Sequence, residues 1–259
     1  MNRRLKIATP ISHLFENDKF SSQIIKLSCC LECRDNSIDK GFKKQELFHC
    51  DLQPIHKFTN DDINTLIQIK RKKLDLKLIS FHLASCYENP KVSKGIFYPN
   101  GFKISVEELK DNAYFNIRKI KKIFGESISI SIENNNYFKT EAYDYITDPE
   151  FINSIVIDND INFLFDISHA KISAINSGVN YGEYLSKLPL NKVNQIHISK
   201  ERVNSKGEVF DAHELPSDSE TKEFLNFFKR YNTLKYLTVE YYKDPFKLID
   251  YLKKLKNMI

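Results

Sequence analysis

Histidine and carboxylate residues recur in this chain at the ends of apolar segments of strand length. The segment Asn162–Asp166 reads NFLFD, an apolar run that stops at Asp166, and His169 follows three residues later. A carboxylate and an imidazole at the end of a buried strand suit a metal ion. The alternative is that Asp166 caps the following helix and His169 packs against that helix. This segment alone is compatible with either role.

The same pattern, an apolar strand followed by a metal-ligating side chain, recurs along the chain and favours a metal site. Unpaired buried charges are costly, so they persist where they are paired or bound to a metal. Five of the seven histidines belong to the set, together with four carboxylates. The candidate metal ligands are His49, His82, Glu133, Asp166, His169, His197, Asp211, His213 and Glu240.

The composition of this set indicates more than one ion. Asp211 and His213 are two residues apart in an extended segment, so their side chains point the same way and can bind one ion together. The two oxygens of Glu133 can bridge two metals. Nine nitrogen and oxygen ligands are too many for one ion and fit two or three. Such ligands suit zinc, iron or manganese, which can make a hydroxide nucleophile, polarise a substrate oxygen or, with iron, activate O2.

A fold that gathers distant strand ends must position these residues. Eight apolar segments, most of them followed by an amphipathic helical pattern, predict a parallel sheet. Eight such units in 259 residues predict a closed (β/α)8 TIM barrel, in which all strands end at the mouth that holds the active site. No composition break divides the chain, so we expect one domain over residues 1–259. The predicted strands are Leu5–Thr9, Leu27–Cys33, Glu46–Cys50, Leu78–Leu83, Ser127–Glu133, Asn162–Asp166, Lys192–Ser199 and Tyr236–Glu240.

Three connecting segments carry further expectations. A helix is predicted over Ser12–Lys26 after the first strand. Ala84–Gly101 contains two prolines and two glycines and is predicted to be a long loop. Long loops in compact domains are usually functional, so we expect this one to form part of a substrate channel. Val209–His213 is expected to form an excursion beyond the seventh strand.

Composition excludes several classes of function. The formal net charge is +5 and the basic residues are scattered, so a nucleic-acid partner is not expected. No apolar run is long enough to span a membrane. The N-terminus lacks the apolar core of a signal peptide and the cysteine count is odd, which predicts reduced thiols and a cytoplasmic location. Cys30 and Cys33 have redox or zinc spacing, but this spacing in a strand points them to opposite faces.

The order and spacing of the candidate ligands resemble the trinuclear site shared by two groups of xylose-isomerase-like barrels. One group is endonuclease IV, a zinc enzyme that nicks DNA at abasic sites. The other is the multinuclear non-heme iron-dependent oxidase family of the methanobactin-biosynthesis type. The intervening sequence favours the oxidases. The segments that resemble them are Glu133-Asn134 with Tyr137, Phe163–Ser199, Asp211–Glu214 and Val239–Pro245.

The resemblance implies a ligand assignment and an activity. The three implied ligand groups are His49, His82 and Glu133; Glu133, Asp166, His197 and Glu240; and His169, Asp211 and His213. The second group is expected to be catalytic. The implied cofactor is two or three iron ions, Fe2+ and Fe3+, which use O2 to oxidise or rearrange a cysteine of a ribosomally synthesised peptide. A separate partner protein that presents the peptide is also implied.

Two positions depart from the oxidase pattern. Cys50–His56 stands where the oxidases usually have a stretch rich in glycine and serine. His169 stands where many of them have asparagine, and a histidine there is also what endonuclease IV would show. Two other functions therefore stay open. One is a zinc phosphodiesterase of the endonuclease IV type that acts on abasic DNA, and the other is a sugar isomerase or epimerase with divalent metals.

Overall fold

Parallel strands alternate with helices in the computed structural model, which describes residues 5–205 and 207–259. The strands are β1 (Lys6–Pro10), β2 (Cys30–Cys33), β3 (Gln45–Cys50), β4 (Leu78–His82), β5 (Lys91–Ser93), β6 (Ile96–Tyr98), β7 (Ser129–Glu133), β8 (Asn162–Asp166), β9 (Val193–Ile198), β10 (Lys200–Val203), β11 (Val209–Glu214) and β12 (Tyr236–Val239). The helices are α1 (Asp18–Leu27), α2 (Asn60–Lys72), α3 (Val106–Phe124), α4 (Pro149–Asp158), α5 (Ile167–Ser177), α6 (Tyr181–Lys187), α7 (Asp218–Arg230) and α8 (Pro245–Lys256).

Eight of these strands close into a barrel. Their order around the ring is β1, β12, β9, β8, β7, β4, β3 and β2, and the neighbouring strands run parallel. The predicted (β/α)8 TIM barrel is therefore confirmed. Two antiparallel hairpins, β5–β6 and β10–β11, lie outside the ring.

The alternation of residue types along the strands explains which side chains enter the barrel. In β7, Ile130 and Ile132 pack in the main hydrophobic core with the helices, whereas Ser131 and Glu133 point inward. Successive side chains of a strand point to opposite faces, so every second residue can be polar without disturbing the outer core. The bottom of the barrel interior, which we call the floor, is filled by a separate buried apolar cluster. This floor cluster consists of Ala8, Cys30, Leu47, Leu78 and Tyr236.

Three segments differ from the sequence predictions. The helix predicted over Ser12–Lys26 is divided into a 3-10 turn, His13–Phe15, and α1, because the Asn17 side chain accepts a hydrogen bond from Lys19 N and starts a new helix. The strand predicted from Leu27 begins only at Cys30, since α1 extends to Leu27. The loop predicted over Ala84–Gly101 contains the β5–β6 hairpin. None of the helices in the described ranges has the length and apolar character of a membrane span.

Burial in the outer core lets us predict how much the truncation of a side chain lowers the free energy of unfolding. Leu66 on α2 is fully buried, whereas Leu74, in the turn after α2, is 87% exposed. We expect Leu66→Ala to lower the free energy of unfolding by about 2 to 5 kcal/mol, because it removes apolar contacts and leaves a void. The matched change Leu74→Ala should alter it by less than about 0.5 kcal/mol. Urea unfolding of both variants checks this, and equal losses would contradict the assigned burial.

Candidate metal centre

The strand register brings the predicted ligands to one rim of the barrel. His82 at the end of β4 is aligned with Glu133 at the end of β7. Asp166 at the end of β8 is aligned with His197 of β9. Glu240 directly follows β12, and its backbone N–H donates to the carbonyl of Ile198. Residues far apart in the sequence are therefore neighbours at the carboxyl ends of the strands.

Glu133 lies between three histidines. Its Oε2 atom is 3.3 Å from His49 Nε2 and 3.0 Å from His82 Nδ1. Its Oε1 atom is 2.9 Å from His197 Nδ1. The two oxygens of this carboxylate thus face different imidazoles, which is the arrangement that a carboxylate bridging two ions requires. His49 Nδ1 is 2.8 Å from the Ser80 hydroxyl, so its Nε2 atom is the one directed to Glu133.

Asp166 takes the capping role that the sequence left open and keeps one oxygen available for the other. Its Oδ1 atom caps α5 by accepting a hydrogen bond of 2.7 Å from His169 N. Its Oδ2 atom is buried and has no hydrogen-bond partner, so one oxygen remains directed at the site. The side chain of Asn134 fixes the Asp166 backbone, because its amide donates to Asp166 O and its oxygen accepts from Asp166 N, both at 2.9 Å. Burial, helped by nearby carboxylates, raises the pKa of Asp166 to about 7.

A third group of side chains lies nearer the mouth. Asp211 Oδ2 is 3.5 Å from His169 Nε2 and 3.0 Å from His213 Nε2. His169 Nδ1 lies 2.9 Å from the Asn134 carbonyl, to which it can donate, and this leaves Nε2 free to bind a cation. The His213 backbone has a φ of +43°, a left-handed conformation that a non-glycine residue adopts at an energetic cost. Its Nε2 atom is also 3.3 Å from Glu240 Oε2, so this group adjoins the others.

The charges and pKa values of the side chains in this site favour the binding of cations. Burial raises the pKa of Glu133 and of Glu240, but adjacent histidines hold both well below the usual range, so these carboxylates stay charged. Burial and the neighbouring His82 and Arg34 lower the pKa of His49 to about 3. His49 is therefore neutral at physiological pH, which is the form that binds a metal.

Two residues that the sequence analysis missed complete the site. Glu32 on β2 is fully buried, and its Oε1 atom pairs with Arg34 at 2.7 Å. Arg34 also pairs with Glu240. A signal was available, because Glu32 follows Cys30 by two residues in β2 and Arg34 follows Glu32 by two, directly after the strand, so the three side chains can share the inner face. The prediction treated this strand as carrying no functional residue.

Above these side chains the barrel opens into a cavity of about 420 Å³. The segment predicted to line a substrate channel contributes Ala84, Gly95 and Phe97 to its wall. Gln53 fixes the start of this segment, since its Oε1 atom accepts hydrogen bonds of 3.0 Å from Ala84 N and Ser85 N. His49, His82 and Glu133 line the same cavity, so a ligand that enters it reaches the candidate metal ligands.

The donor set fits metal ions. Three groups each place one ligand atom per residue within 4.8 Å of one another: His49, His82 and Glu133; Glu32, His197 and Glu240; and Glu133, Asp166 and His169. All these donors are nitrogen or oxygen. Cys33 and Cys50 belong to the outer core rather than to the inner face, and burial raises the pKa of both thiols. Cys30 lies in the floor cluster, so Cys30 and Cys33 do not face a common point.

Comparison with known proteins places the chain in a group of enzymes. A family model described as "RiPP precursor modification enzyme MbnB/TglH/ChrH" matches residues 55–246. A UPF0276 protein of Vibrio parahaemolyticus is 30% identical over 94 residues, which are 35% of this chain and 33% of that protein. The aligned part therefore spans about a third of the length of this curated relative.

Similar solved structures share the architecture. The IolI protein with a bound zinc atom has a TM-score of 0.62 and 15% identity, and the match covers 97% of this chain and 96% of that one. A xylose-isomerase-like TIM barrel protein from Mycobacterium smegmatis, solved in complex with magnesium, has a TM-score of 0.57 and 9% identity, with 97% and 96% coverage. At these identities the likeness shows the fold, which is the xylose-isomerase-like barrel.

The carboxylate of Glu133, which faces three histidines, leads to a prediction about the metal content of the protein. Glu133→Gln should lower the zinc bound per chain by about one ion or more, because it removes the charged oxygens that face three histidines. The helical and strand content should stay unchanged. The control is Glu126→Gln, an exposed position before β7 at the opposite end of the barrel. Elemental analysis after zinc loading measures this, and full zinc content in Glu133→Gln would argue against the centre.

The histidines also predict how metal binding depends on pH. Burial opposes protonation of His213, but Glu240 and Asp211 raise its pKa. Burial also opposes protonation of His169, but Asp166, Asp211 and Glu133 raise its pKa well above the usual range. Glu32 and Glu240 likewise raise the pKa of His197 against the effect of burial. These three imidazoles carry a proton that a metal must displace, so zinc near them should dissociate as the pH falls, before zinc near His49. Zinc content measured from about pH 8 to about pH 5 tests this.

The variant His213→Gln tests whether the zinc ion near His213 is among those that dissociate first as the pH falls. It should lower the fraction of zinc that dissociates first and leave the acid-resistant fraction near His49 unchanged. Calorimetry in two buffers of different ionisation enthalpy should also show protons released on zinc binding. A single pH transition for all the bound zinc, unaltered in His213→Gln, would contradict the assignment.

Proposed function

The chain belongs to the MbnB/TglH/ChrH family of RiPP precursor modification enzymes, and we propose that it is a multinuclear non-heme iron oxidase that uses O2 to modify a cysteine of a ribosomally synthesised peptide. The observation that carries this proposal is the position of Glu133, whose two oxygens face separate sets of histidines. A carboxylate so placed can hold two ions next to each other. Two iron ions held there would supply oxygen activation beside a binding position for a substrate thiolate.

The proposed ligands divide into three groups around this carboxylate. His49 and His82 would hold the first ion together with Glu133. Asp166, His197 and Glu240 would hold the second with Glu133. His169, Asp211 and His213 would hold a third ion nearer the cavity. Iron bound in this way would supply oxygen activation and a Lewis-acidic position for sulfur, whereas zinc, which has no redox chemistry, would supply only the latter.

The remaining side chains orient these ligands and control the charge. Ser80 and the Asn134 carbonyl hold the rings of His49 and His169, respectively, by hydrogen bonds to their Nδ1 atoms. Arg34 offsets part of the negative charge of the buried carboxylates. His213 is partly exposed, and its Nε2 atom lies near both Asp211 and Glu240.

The cavity suits an extended peptide segment that presents one small side chain. Phe97 and Ala84 provide apolar wall, and Asn135 and Asn136 provide amides next to the metal-facing end. Residues 84–101 would contact the peptide on both sides of the reacting cysteine. A peptide-presenting partner protein would supply the rest of the recognition, because one cavity of about 420 Å³ holds only a few residues.

The proposal predicts iron-dependent oxygen consumption. Protein purified without oxygen should contain about two or more irons per chain and should consume O2 when a cysteine-containing precursor peptide and its presenting protein are added. Mass spectrometry should show a changed peptide mass. A peptide with serine in place of the cysteine should give neither result. Asp166→Asn should lower both iron content and oxygen uptake, whereas Glu126→Gln should leave both unchanged.

Other outcomes would favour the alternatives. A protein that holds zinc alone, consumes no oxygen and nicks a duplex with an abasic site would indicate a phosphodiesterase. A protein that interconverts sugars with a divalent metal and ignores the peptide would indicate an isomerase or epimerase. Either result would overturn the proposed oxidase while leaving the metal centre intact.

A further inference from the structure

Glu32 is a buried carboxylate next to His197 of the candidate centre. Its Oε2 atom accepts from Thr238 Oγ1 at 3.0 Å and from Gln195 Nε2, and lies 3.0 Å from His197 Nε2. Its Oε1 atom pairs with Arg34 at 2.7 Å. The carboxylate is fully buried, so it is stable only because donors and a cation surround it.

His197 is held between this carboxylate and the ligand carboxylates above it. Its Nε2 atom faces Glu32, whereas its Nδ1 atom is 2.9 Å from Glu133 Oε1 and 3.4 Å from Glu240 Oε1. Nδ1 is buried and has no hydrogen-bond partner of good geometry. One ring nitrogen therefore faces a fixed acceptor, and the other faces the place where a cation would satisfy two carboxylates.

We propose that Glu32 is a positioning residue that holds His197 with its proton on Nε2 and its lone pair on Nδ1, directed at the metal between Glu133 and Glu240. A histidine that binds a metal usually donates its second N–H to a carboxylate or carbonyl, which fixes the ring and makes the nitrogen ligand more basic. This inference rests on the proposed metal centre, but it does not depend on iron or on the oxidase reaction.

The main alternative is that Glu32 itself binds an ion with His197 and Glu240, because these three can present ligand atoms within 4.8 Å. The hydrogen bonds argue against that role. The oxygen nearest His197 already accepts from Thr238 and Gln195, and the other forms an ion pair with Arg34 at 2.7 Å. That second oxygen is buried and makes no hydrogen bond of good geometry, so the metal count in Glu32→Gln, described below, decides between the two roles. A second alternative is that Gln195 Nε2, 3.1 Å from His197 Nε2, donates to that ring nitrogen and so moves the proton to Nδ1. A charged acceptor at 3.0 Å favours a proton on Nε2.

The first test is the position of the proton. Zinc-loaded protein labelled with ¹⁵N-histidine should show His197 with its proton on Nε2 in long-range ¹H–¹⁵N spectra, assigned by the loss of its signals in His197→Gln. A proton on Nδ1 would overturn the inference. Zinc loading of the wild-type protein is measured in the same samples. If the chain bound no zinc or iron, the proposed centre would fail, and that result is distinct from a wrong tautomer.

The second test separates positioning from ligation. Glu32→Gln should keep the number of zinc ions per chain but weaken the affinity by about 10- to 100-fold, as the loss of an outer carboxylate does elsewhere. Loss of one zinc equivalent with the rest at wild-type affinity would make Glu32 a ligand instead, and an unchanged affinity would remove any role. The matched control is Glu46→Gln, whose carboxylate pairs with Lys6 at the far end of β3.

A second variant changes the surroundings of Glu32 less than Glu32→Gln does, so it tests the proposal even if Glu32→Gln fails to fold. Thr238→Val removes one hydroxyl donor to Glu32 and keeps its charge. We expect it to keep the zinc stoichiometry, to weaken the affinity by less than Glu32→Gln does, and to preserve the proton on Nε2 of His197. A shift of that proton to Nδ1 in Thr238→Val would show that the hydroxyl, and not the carboxylate, sets the orientation.

Discussion

The structure depends on one buried carboxylate that several imidazoles share. Glu133 is 2% exposed and lies within 3.3 Å of histidines from β3, β4 and β9. A carboxylate in that position would be unfavourable without positive partners, and the histidines alone supply them only while they are protonated. A metal ion would resolve the conflict, since it would let the carboxylate stay charged and the imidazoles become neutral. The negative charge of the surrounding acids points to the same requirement.

The barrel makes this arrangement possible because it separates two kinds of core. Alternate residues of each strand either pack against the helices or enter the ring. The outer residues stabilise the fold, while the inner residues are apolar at the floor and polar at the rim. The chain can therefore hold several charged groups in its interior without giving up its main hydrophobic core. The family match, over residues 55–246, includes most of the residues at the rim.

Much of this was predictable from the sequence, and the exceptions have physical reasons. The alternation of apolar runs and amphipathic helices predicted the barrel, and ligand residues at strand ends predicted their convergence, because both follow from local periodicity. Glu32 was missed because it lies within its strand rather than at the end, where the other candidate ligands lie, and only tertiary contacts reveal its partners. The break before α1 was missed because Asn17 acts as a cap within an otherwise helical pattern. The β5–β6 hairpin was missed because proline and glycine dominate its flanks.

The most direct measurement of the central claim is anomalous diffraction at the iron edge from crystals grown without oxygen. The account predicts at least two iron peaks, one on each side of the Glu133 carboxylate, with His49 and His82 at the first and His197 at the second. A single peak, or peaks that do not touch Glu133, would contradict the claim that this carboxylate joins two ions.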